Sequence, residues 1–481
     1  MSAESPPAPA AGSAPDPKQP KVYRVGTLTY TRGALIQVVF WMLWGDFFFQ
    51  LLESMPTVTP LLLRWQGASD TLIGMTGSLS SVVAFLWFPV VATQSDRYRS
   101  RLGRRRPFLF WFTAPVAVSI VLLGAAKPAG IWVHHLLAAL GGGSFTVAGC
   151  TIAWIMTFVM IFYLFNAYIV QAYACLIPDV IPLEVMGKFY GVYRAIGALG
   201  SLAFNRWALG WVETHTLHVY VLIALLFMSA FFLITWKVKE GEYPPPPPQP
   251  SGGPLGAIRE YFQTCFRHRF YLNFFSVTFF YWASLVPLGF VVFFGTVAGK
   301  AGYAATLGLS LAEFGEVKGW TFVVQVAVFF AVGFFVDRYH PMRVALVGML
   351  LIALTYFGCY WFISNKHTLL IWWSLNQAAI AIFLGSFTAM GPVLLPRDRY
   401  GQFVSANLIF GMVGLILGPP VVGRLLERVA DYRYTFLFSG ILTALSLVAL
   451  VLLYFQWQAL GGAKGFTPPD PTVRSSHVPT A

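Results

Sequence analysis

The sequence predicts an all-α membrane protein with twelve transmembrane helices in two six-helix bundles and both termini in the cytoplasm. Of its 481 residues, 57% are hydrophobic and 11% are charged, and the mean hydropathy is +0.66. A soluble chain carries roughly 25% charged residues. Apolar runs of about twenty residues, the length that crosses a bilayer, recur along the chain. A Pro-rich break near the middle divides these runs into two equal sets.

The apolar runs give six predicted spans on each side of the break. They are 34–57, 71–94, 108–126, 151–177, 189–210 and 217–236 before it, and 269–298, 319–336, 343–363, 368–392, 402–423 and 434–456 after it. Segment 131–150 is also apolar, but it contains His134, His135 and a Gly-rich run. We therefore expect a re-entrant or surface segment there. A thirteenth span at this place would move the following loop to the other side of the membrane.

The spans define five regions. These are a disordered cytoplasmic tail (1–33), an N-terminal bundle (34–236), a cytoplasmic linker (237–268), a C-terminal bundle (269–456) and a second cytoplasmic tail (457–481). The linker contains Pro244 to Pro248 in succession, which cannot continue a helix. Of the 32 Lys and Arg residues, 22 fall in segments placed inside and 8 in segments placed outside. This bias fixes the orientation, so the net charge of +13 is a topology signal and does not indicate nucleic acid.

The first span contains two acidic residues, Asp46 and Glu53, in otherwise apolar surroundings. A carboxylate at bilayer depth costs a few kcal/mol, so it normally serves an ion or substrate path. The spacing places both residues on one helix face, with Gln50 between them. This face predicts a polar cavity, and desolvation in such a cavity favours the protonated acid that a proton carrier needs. For Glu53, a solvated position at the rim is the alternative.

The two halves of the sequence repeat short motifs. Asp96-Arg97-Tyr98 follows the second span, and Asp337-Arg338-Tyr339 follows the eighth. The spacing of Gly187, Phe189, Gly197 and Gly200 recurs as Gly401, Phe403, Gly411 and Gly414. Two similar bundles around a central cavity are the architecture of alternating access.

The loop from Asp96 to Phe108 resembles the loop after the second helix of the major facilitator superfamily. Its form S-R-x-G-R-R-R-P, from Ser100 to Pro107, is similar to that of plant-type sucrose transporters and of the glycoside–pentoside–hexuronide cation symporters. The resemblance implies a major facilitator fold and alternating-access transport of a sugar or glycoside across the plasma membrane. We predict a conformational latch made of Asp96, Arg97, Arg101, Gly103, Arg104, Arg105, Asp337 and Arg338, with the arginines at the anionic inner leaflet. A simple basic topology anchor is the alternative.

The resemblance also implies roles for two charged residues. Asp46 lies where melibiose-type carriers have a sugar-binding aspartate, and Arg194, after Tyr193, is similar to the intramembrane arginine that serves the same site. Asp46 would accept hydrogen bonds from sugar hydroxyls and Arg194 would donate them. A purely structural pairing of the two, or an Arg194 that extends to the inner surface, is the alternative.

The sequence departs from these symporters at their sodium site. The two sodium-binding carboxylates of the second helix fall on Ala84 and Phe88, and no Asp or Glu occurs between Leu72 and Gln94. The stacking tryptophan of the family falls on Ala174. Protons, or no coupling ion, are therefore expected in place of sodium.

Further candidates for substrate contact are neutral polar or aromatic residues inside the spans. They are Asn166, Gln171, Tyr173, Gln325, Asn376, Gln377 and Asn407, with Tyr281 and Trp282 as stacking partners for a sugar ring. Each of these side chains is also of a type that joins neighbouring helices.

The sequence shows no sign of an enzyme, a cofactor or a metal site. The phosphate-binding motif G-x-x-x-x-G-K-[ST] is absent, and the four cysteines lack metal-type spacing. The expected partners are a small-molecule substrate (a sugar or glycoside), protons and the lipid bilayer, with the protein a monomer. The alternatives are a carrier or exporter of a nucleoside, lipid or drug, and a transporter-like sensor, for which the short tails leave little room.

Overall fold

The computed structural model describes residues 22–141, 144–242, 265–297, 299, 302–304, 306–396 and 399–470. In the first half, the chain forms strands β1 (Tyr23–Val25) and β2 (Leu28–Tyr30) and then a series of helices. These are α1 (Arg32–Ser54), α2 (Thr59–Trp65), α3 (Asp70–Arg97), α4 (Arg106–Gly124), α5 (Ala126–Ala139), α6 (Val147–Val180), α7 (Leu183–Ala203) and α8 (Leu209–Lys237). A 3₁₀ turn at Met55–Val58 joins α1 to α2, and a π-helical turn at Phe204–Ala208 joins α7 to α8.

The described residues of the second half form eight further helices. They are α9 (Arg269–Leu285), α10 (Val291–Gly295), α11 (Leu311–Tyr339), α12 (Pro341–Phe362), α13 (Lys366–Leu394), α14 (Tyr400–Val429), α15 (Tyr434–Ala459) and α16 (Gly462–Gly465). A 3₁₀ turn at Pro287–Phe290 separates α9 from α10. Helix α11 begins about two turns before the predicted start at 319. A capping box of Ser310 and Glu313 starts it, and its first turns are too polar for a hydropathy average to include.

The hairpin of β1 and β2 corrects the prediction of disorder for the end of the first tail, while residues 1–21 lie outside the described residues. Tyr23 pairs with Tyr30 across a tight turn in which Gly26 has a φ of +54°, a backbone conformation suited to glycine. A residue outside the hairpin stabilises the turn, because the backbone N–H of Glu242 donates to Thr27 Oγ1 at 2.8 Å. Burial of the hairpin raises the pKa of Tyr30 to about 12.

Eleven helices in the described part of the chain are long and apolar enough to cross a membrane. One of them, Lys188–Lys237, runs for 50 residues and bends at His215, so its length suffices for two crossings. Helix α5, in the segment expected to be re-entrant or superficial, has 14 residues and measures about 21 Å. That is shorter than the hydrocarbon core of a bilayer, and α5 packs on the start of α6, with Gly130 against Thr151.

The two halves meet at the face where α1 ends and α3 begins, which we call the distal face. The opposite, terminal face carries the hairpin, the described ends of the linker (237–242 and 265–268) and the described residues after α15. A Cβ atom on Gly74 of α3 would lie 2.2 Å from the carbonyl oxygen of Pro419 in α14, and one on Gly315 of α11 would lie 2.1 Å from the carbonyl oxygen of Asn205. Such separations are sterically forbidden for any residue with a side chain. The structure is therefore closed between the halves at the distal face.

The basic loop between α3 and α4 is held by two acidic residues of its own half. Asp179 accepts hydrogen bonds from Arg104 Nε at 3.2 Å and Arg104 Nη2 at 2.7 Å. Glu240 accepts the backbone N–H groups of Arg104, Arg105 and Arg106 at 2.7–3.2 Å. Its carboxylate thus occupies the anion-binding position at the N-terminus of α4.

The predicted latch between the halves stays a prediction. The side chains of Asp96 and Asp337 lie outside the described residues. Arg97 and Arg101 lie at the terminal face, as does Gly103, which has a φ of +106°. The guanidinium of Arg338 lies 5.6 Å from the ring centroid of Tyr339.

We expect Glu240→Ala to destabilise the protein, because it leaves three backbone N–H groups of the basic loop without their carboxylate. The expected cost is about 1–3 kcal/mol, measured as a fall of several degrees in the melting temperature of the purified protein. Glu242→Ala is the matched control, since Glu242 is exposed and lies two residues away. Equal melting temperatures for the two variants would contradict this account of the loop.

Candidate functional site

Asp46 is fully buried and lies against α7. Two glycines of α7 make this approach possible: a Cβ on Gly197 would lie 3.1 Å from Asp46 Oδ2, and one on Gly200 would lie 2.6 Å from the carbonyl oxygen of Phe47. The recurring glycine motif of the sequence therefore marks the contact between α1 and α7. It places Asp46 inside the first half, away from lipid.

The polar neighbours of Asp46 are Tyr193 and Gln50, and Arg194 supplies positive charge nearby. Neither oxygen of the Asp46 carboxylate makes a hydrogen bond of regular geometry with any described residue. Arg194 itself is exposed. A buried carboxylate without a full set of donors is rare in folded proteins, and its oxygens can still take a proton or accept from an external hydroxyl donor.

Glu53 lies two turns further along α1, where it contacts α6. Asn166 Nδ2 donates to Glu53 Oε1 at 2.5 Å, and Tyr163 lies close enough for its hydroxyl to interact electrostatically with this carboxylate. Asn166 Oδ1 has no hydrogen-bond partner among the described residues. The predicted candidates Glu53 and Asn166 therefore form one polar contact inside the first half.

Two other candidates on α6 make internal contacts. The hydroxyl of Tyr173 donates to the carbonyl oxygen of Met42 in α1, and its ring packs against Phe49 and Phe231. Gln171 Nε2 donates to Cys175 Sγ at 3.4 Å within the same helix. For Tyr173 these contacts favour the alternative role of joining helices.

Three of the six candidates in the second half also join helices. Asn376 Nδ2 donates to Thr355 Oγ1 at 2.9 Å, and Asn407 Oδ1 accepts from Thr278 Oγ1 at 2.7 Å. Tyr281 is 3% exposed, with Phe383 covering its ring at a centroid separation of 4.7 Å, so packing is favoured over stacking on a ligand.

The three remaining candidates of the second half are partly buried. Trp282 lies against Gly411, while Gln325 on α11 and Gln377 on α13 have side chains that are neither fully buried nor exposed. Their part in substrate contact stays a prediction.

Lys318 is a further functional candidate, which lies just before the predicted span 319–336 and so does not stand out in the sequence. It lies about two turns inside α11 and is partly buried. It shares a helix face with Gln325, seven residues on, whereas Trp320 faces outward and is 53% exposed. The capping box at Ser310 was the sequence signal that could have revealed it.

Comparisons with known proteins agree with this architecture. Residues 288–479 match the Major Facilitator Superfamily. Over 247 residues, 48% of the chain, the sequence is 25% identical to the mouse protein "Solute carrier family 45 member 4" and covers 30% of it. Over 74 residues, 15% of the chain, it is 36% identical to human "Proton-associated sugar transporter A" and covers 10% of that protein. The matches thus span less than a third of these curated relatives.

Solved structures share the whole fold. The nucleoside transporter NupG superimposes with a TM-score of 0.65 at 12% identity, over 88% of this chain and 100% of that one. The inward-open xylose transporter XylE from E. coli superimposes with a TM-score of 0.60 at 12% identity, over 88% and 95% of the two chains. Identity this low shows the fold alone.

Together, the eleven candidate spans and the likeness to solved transporters show a polytopic helical membrane fold. Over residues 288–479, less than half of its length, the chain is similar to the Major Facilitator Superfamily. The prediction of an all-helical membrane fold is confirmed.

Proposed function

We propose that this protein is a proton-coupled symporter of a sugar or glycoside that works by alternating access at the plasma membrane. The observation that carries the proposal is the buried Asp46 carboxylate, which lacks regular hydrogen bonds and has the exposed Arg194 close by on α7. This pair offers an acceptor and a donor for sugar hydroxyls. Relatives with 25–36% identity over parts of the chain, one of them titled a proton-associated sugar transporter, support the substrate class.

The proposed cycle uses Asp46 as the proton carrier. In the empty site, the charge of Arg194 stabilises the ionised carboxylate. Protonation of Asp46 removes that attraction and leaves the guanidinium of Arg194 free to donate to sugar oxygens, while the carboxylic acid still accepts from a sugar hydroxyl. Release of the proton on the other side restores the ion pair and expels the sugar. Proton and sugar therefore move together.

Other side chains complete the proposed site. Gln50 lies between Asp46 and Glu53, and the contact of Glu53 with Asn166 orients a second carboxylate toward α6. Lys318 and Gln325 add a cationic and a neutral donor from the second half. Sodium is not the expected ion, because the second span carries no Asp or Glu between Leu72 and Gln94.

Uptake into proteoliposomes tests the proposed function. We expect labelled mono- or disaccharides to accumulate above their external concentration when the vesicle interior is alkaline, and a protonophore to abolish the accumulation. A sodium gradient at constant pH should have no effect. Uptake of uridine with no uptake of any sugar would contradict the proposal and favour the alternative of a nucleoside carrier.

A further inference from the structure

A buried polar network joins the two halves at the distal face, outside the proposed sugar site. Arg64, at the end of α2, pairs with Asp70, in the first turn of α3, and both belong to the first half. The carboxylate of Asp70 is fully buried. A pair this deep is stable only when further hydrogen bonds satisfy its remaining polar atoms.

Two tyrosines of the second half supply those bonds. The hydroxyl of Tyr432 donates to Asp70 Oδ1 at 2.9 Å and accepts from Arg64 Nη2 at 2.6 Å. The hydroxyl of Tyr303 donates to Asp70 Oδ2 at 2.7 Å. The Arg64 guanidinium also lies 4.7 Å from the ring centroid of Phe293, a third residue of the second half.

The two tyrosines are held as one unit by their own half. Their ring centroids are 4.9 Å apart, and the backbone N–H of Ala304 donates to the carbonyl oxygen of Ala430 at 2.8 Å. Burial raises the pKa of both hydroxyls above the usual range for tyrosine, so both remain hydrogen-bond donors at physiological pH. The second half thus presents a rigid pair of donors to the carboxylate of the first.

A carboxylate of the second half also binds to the first half. Glu427, near the end of α14, accepts the backbone N–H of Thr71 at 2.9 Å. This N–H belongs to the first turn of α3, where a negative charge is favourable. The start of α3 is therefore bonded to three side chains from the other half.

We propose that Arg64, Asp70, Tyr303 and Tyr432 form a distal lock, which stabilises the state closed at the distal face and opens each time the halves separate there. Separation leaves the ion pair of Arg64 and Asp70 intact, because both residues stay on the first half. Separation breaks the hydrogen bonds to the two tyrosines, the bond from the Thr71 N–H to Glu427 and the contact with Phe293, and water can replace the hydrogen bonds. The lock can therefore open without leaving Arg64 or Asp70 as an unpaired charge.

Spin labels across the distal face test the lock without any substrate. The labels are placed at Gln66→Cys in the first half and Arg428→Cys in the second, in a background where Cys150, Cys175, Cys265 and Cys359 are replaced. We expect the double variant Tyr303→Phe with Tyr432→Phe to enlarge the long-distance population measured by double electron–electron resonance. Each lost hydroxyl bond to a charged group should raise the ratio of open to closed protein about tenfold, and each single variant should give part of the effect.

Tyr434→Phe is the matched control. This tyrosine lies two residues from Tyr432 at the same face, but it interacts with Tyr360 of its own half. An unchanged distance distribution in both single variants and the double variant would overturn the lock, as would an equal shift in the control. Because the measurement involves no sugar and no proton gradient, its outcome is separate from that of the proposed transport function.

Discussion

Asp46→Asn is expected to abolish accumulation of sugar against its gradient. Asparagine has the size of aspartate, so the packing of α1 on Gly197 and Gly200 should persist. Its amide cannot take up and release a proton between pH 5 and 8, so no proton can accompany the sugar. Exchange of labelled for unlabelled sugar across the vesicle membrane does not require net proton movement, and it should therefore survive at a reduced rate.

The measurement compares uphill uptake with exchange in the same proteoliposomes. Glu242→Gln, which neutralises an exposed carboxylate at the terminal face, serves as the control and should leave both rates unchanged. If Asp46→Asn still accumulated sugar against its gradient at the normal rate, Asp46 would not be the residue that carries the coupled proton. Loss of both rates, with sugar no longer raising the melting temperature, would assign Asp46 to binding alone.

The fold could be predicted from the sequence because the signal for each membrane helix lies within one short stretch of the chain. Each span is an apolar run of the required length, and Asp46 and Arg194 stand out because charges are rare at that depth. The same rule failed at α11, where Glu313, Glu316 and Lys318 lower the local hydropathy although the capping box continues the helix. It also missed the hairpin at Tyr23–Tyr30, whose short strands carry no apolar run.

The distal lock could not be predicted, because its partners are remote in the sequence. Arg64 and Tyr432 are separated by 368 positions, and each lies in a short segment between two predicted spans, where the sequence predicts an ordinary loop. The acceptors of the basic loop were missed for the same reason. The arginines after α3 have the pattern of a membrane anchor or latch, whereas Asp179 and Glu240, which bind them, are isolated acids with no pattern of their own.

The second large effect on transport is expected from a substitution at a glycine where the two halves touch. We expect Gly74→Ala to slow transport about ten- to hundredfold, because the added methyl group would lie 2.2 Å from the carbonyl oxygen of Pro419 when the distal face is closed. That neighbour is backbone and cannot rotate away. Overpacking of this kind costs about 1–3 kcal/mol, and the cost falls on the closed state alone, since opening moves α14 away from α3. In the proposed alternating-access cycle, the protein passes through this closed state once per turnover.

Gly77→Ala is the matched control on the same helix. A Cβ at Gly77 would lie 3.7 Å from Pro419 Cβ, an ordinary contact, so this variant should transport normally. Both variants are compared by their initial rates of sugar uptake and by the distance between spin labels at Gln66 and Arg428. Gly74→Ala should show slow uptake together with a more open distal face. Slow uptake with an unchanged distance distribution would mean that the methyl group disturbs α3 itself, and the role of Gly74 in closing the halves would then be wrong.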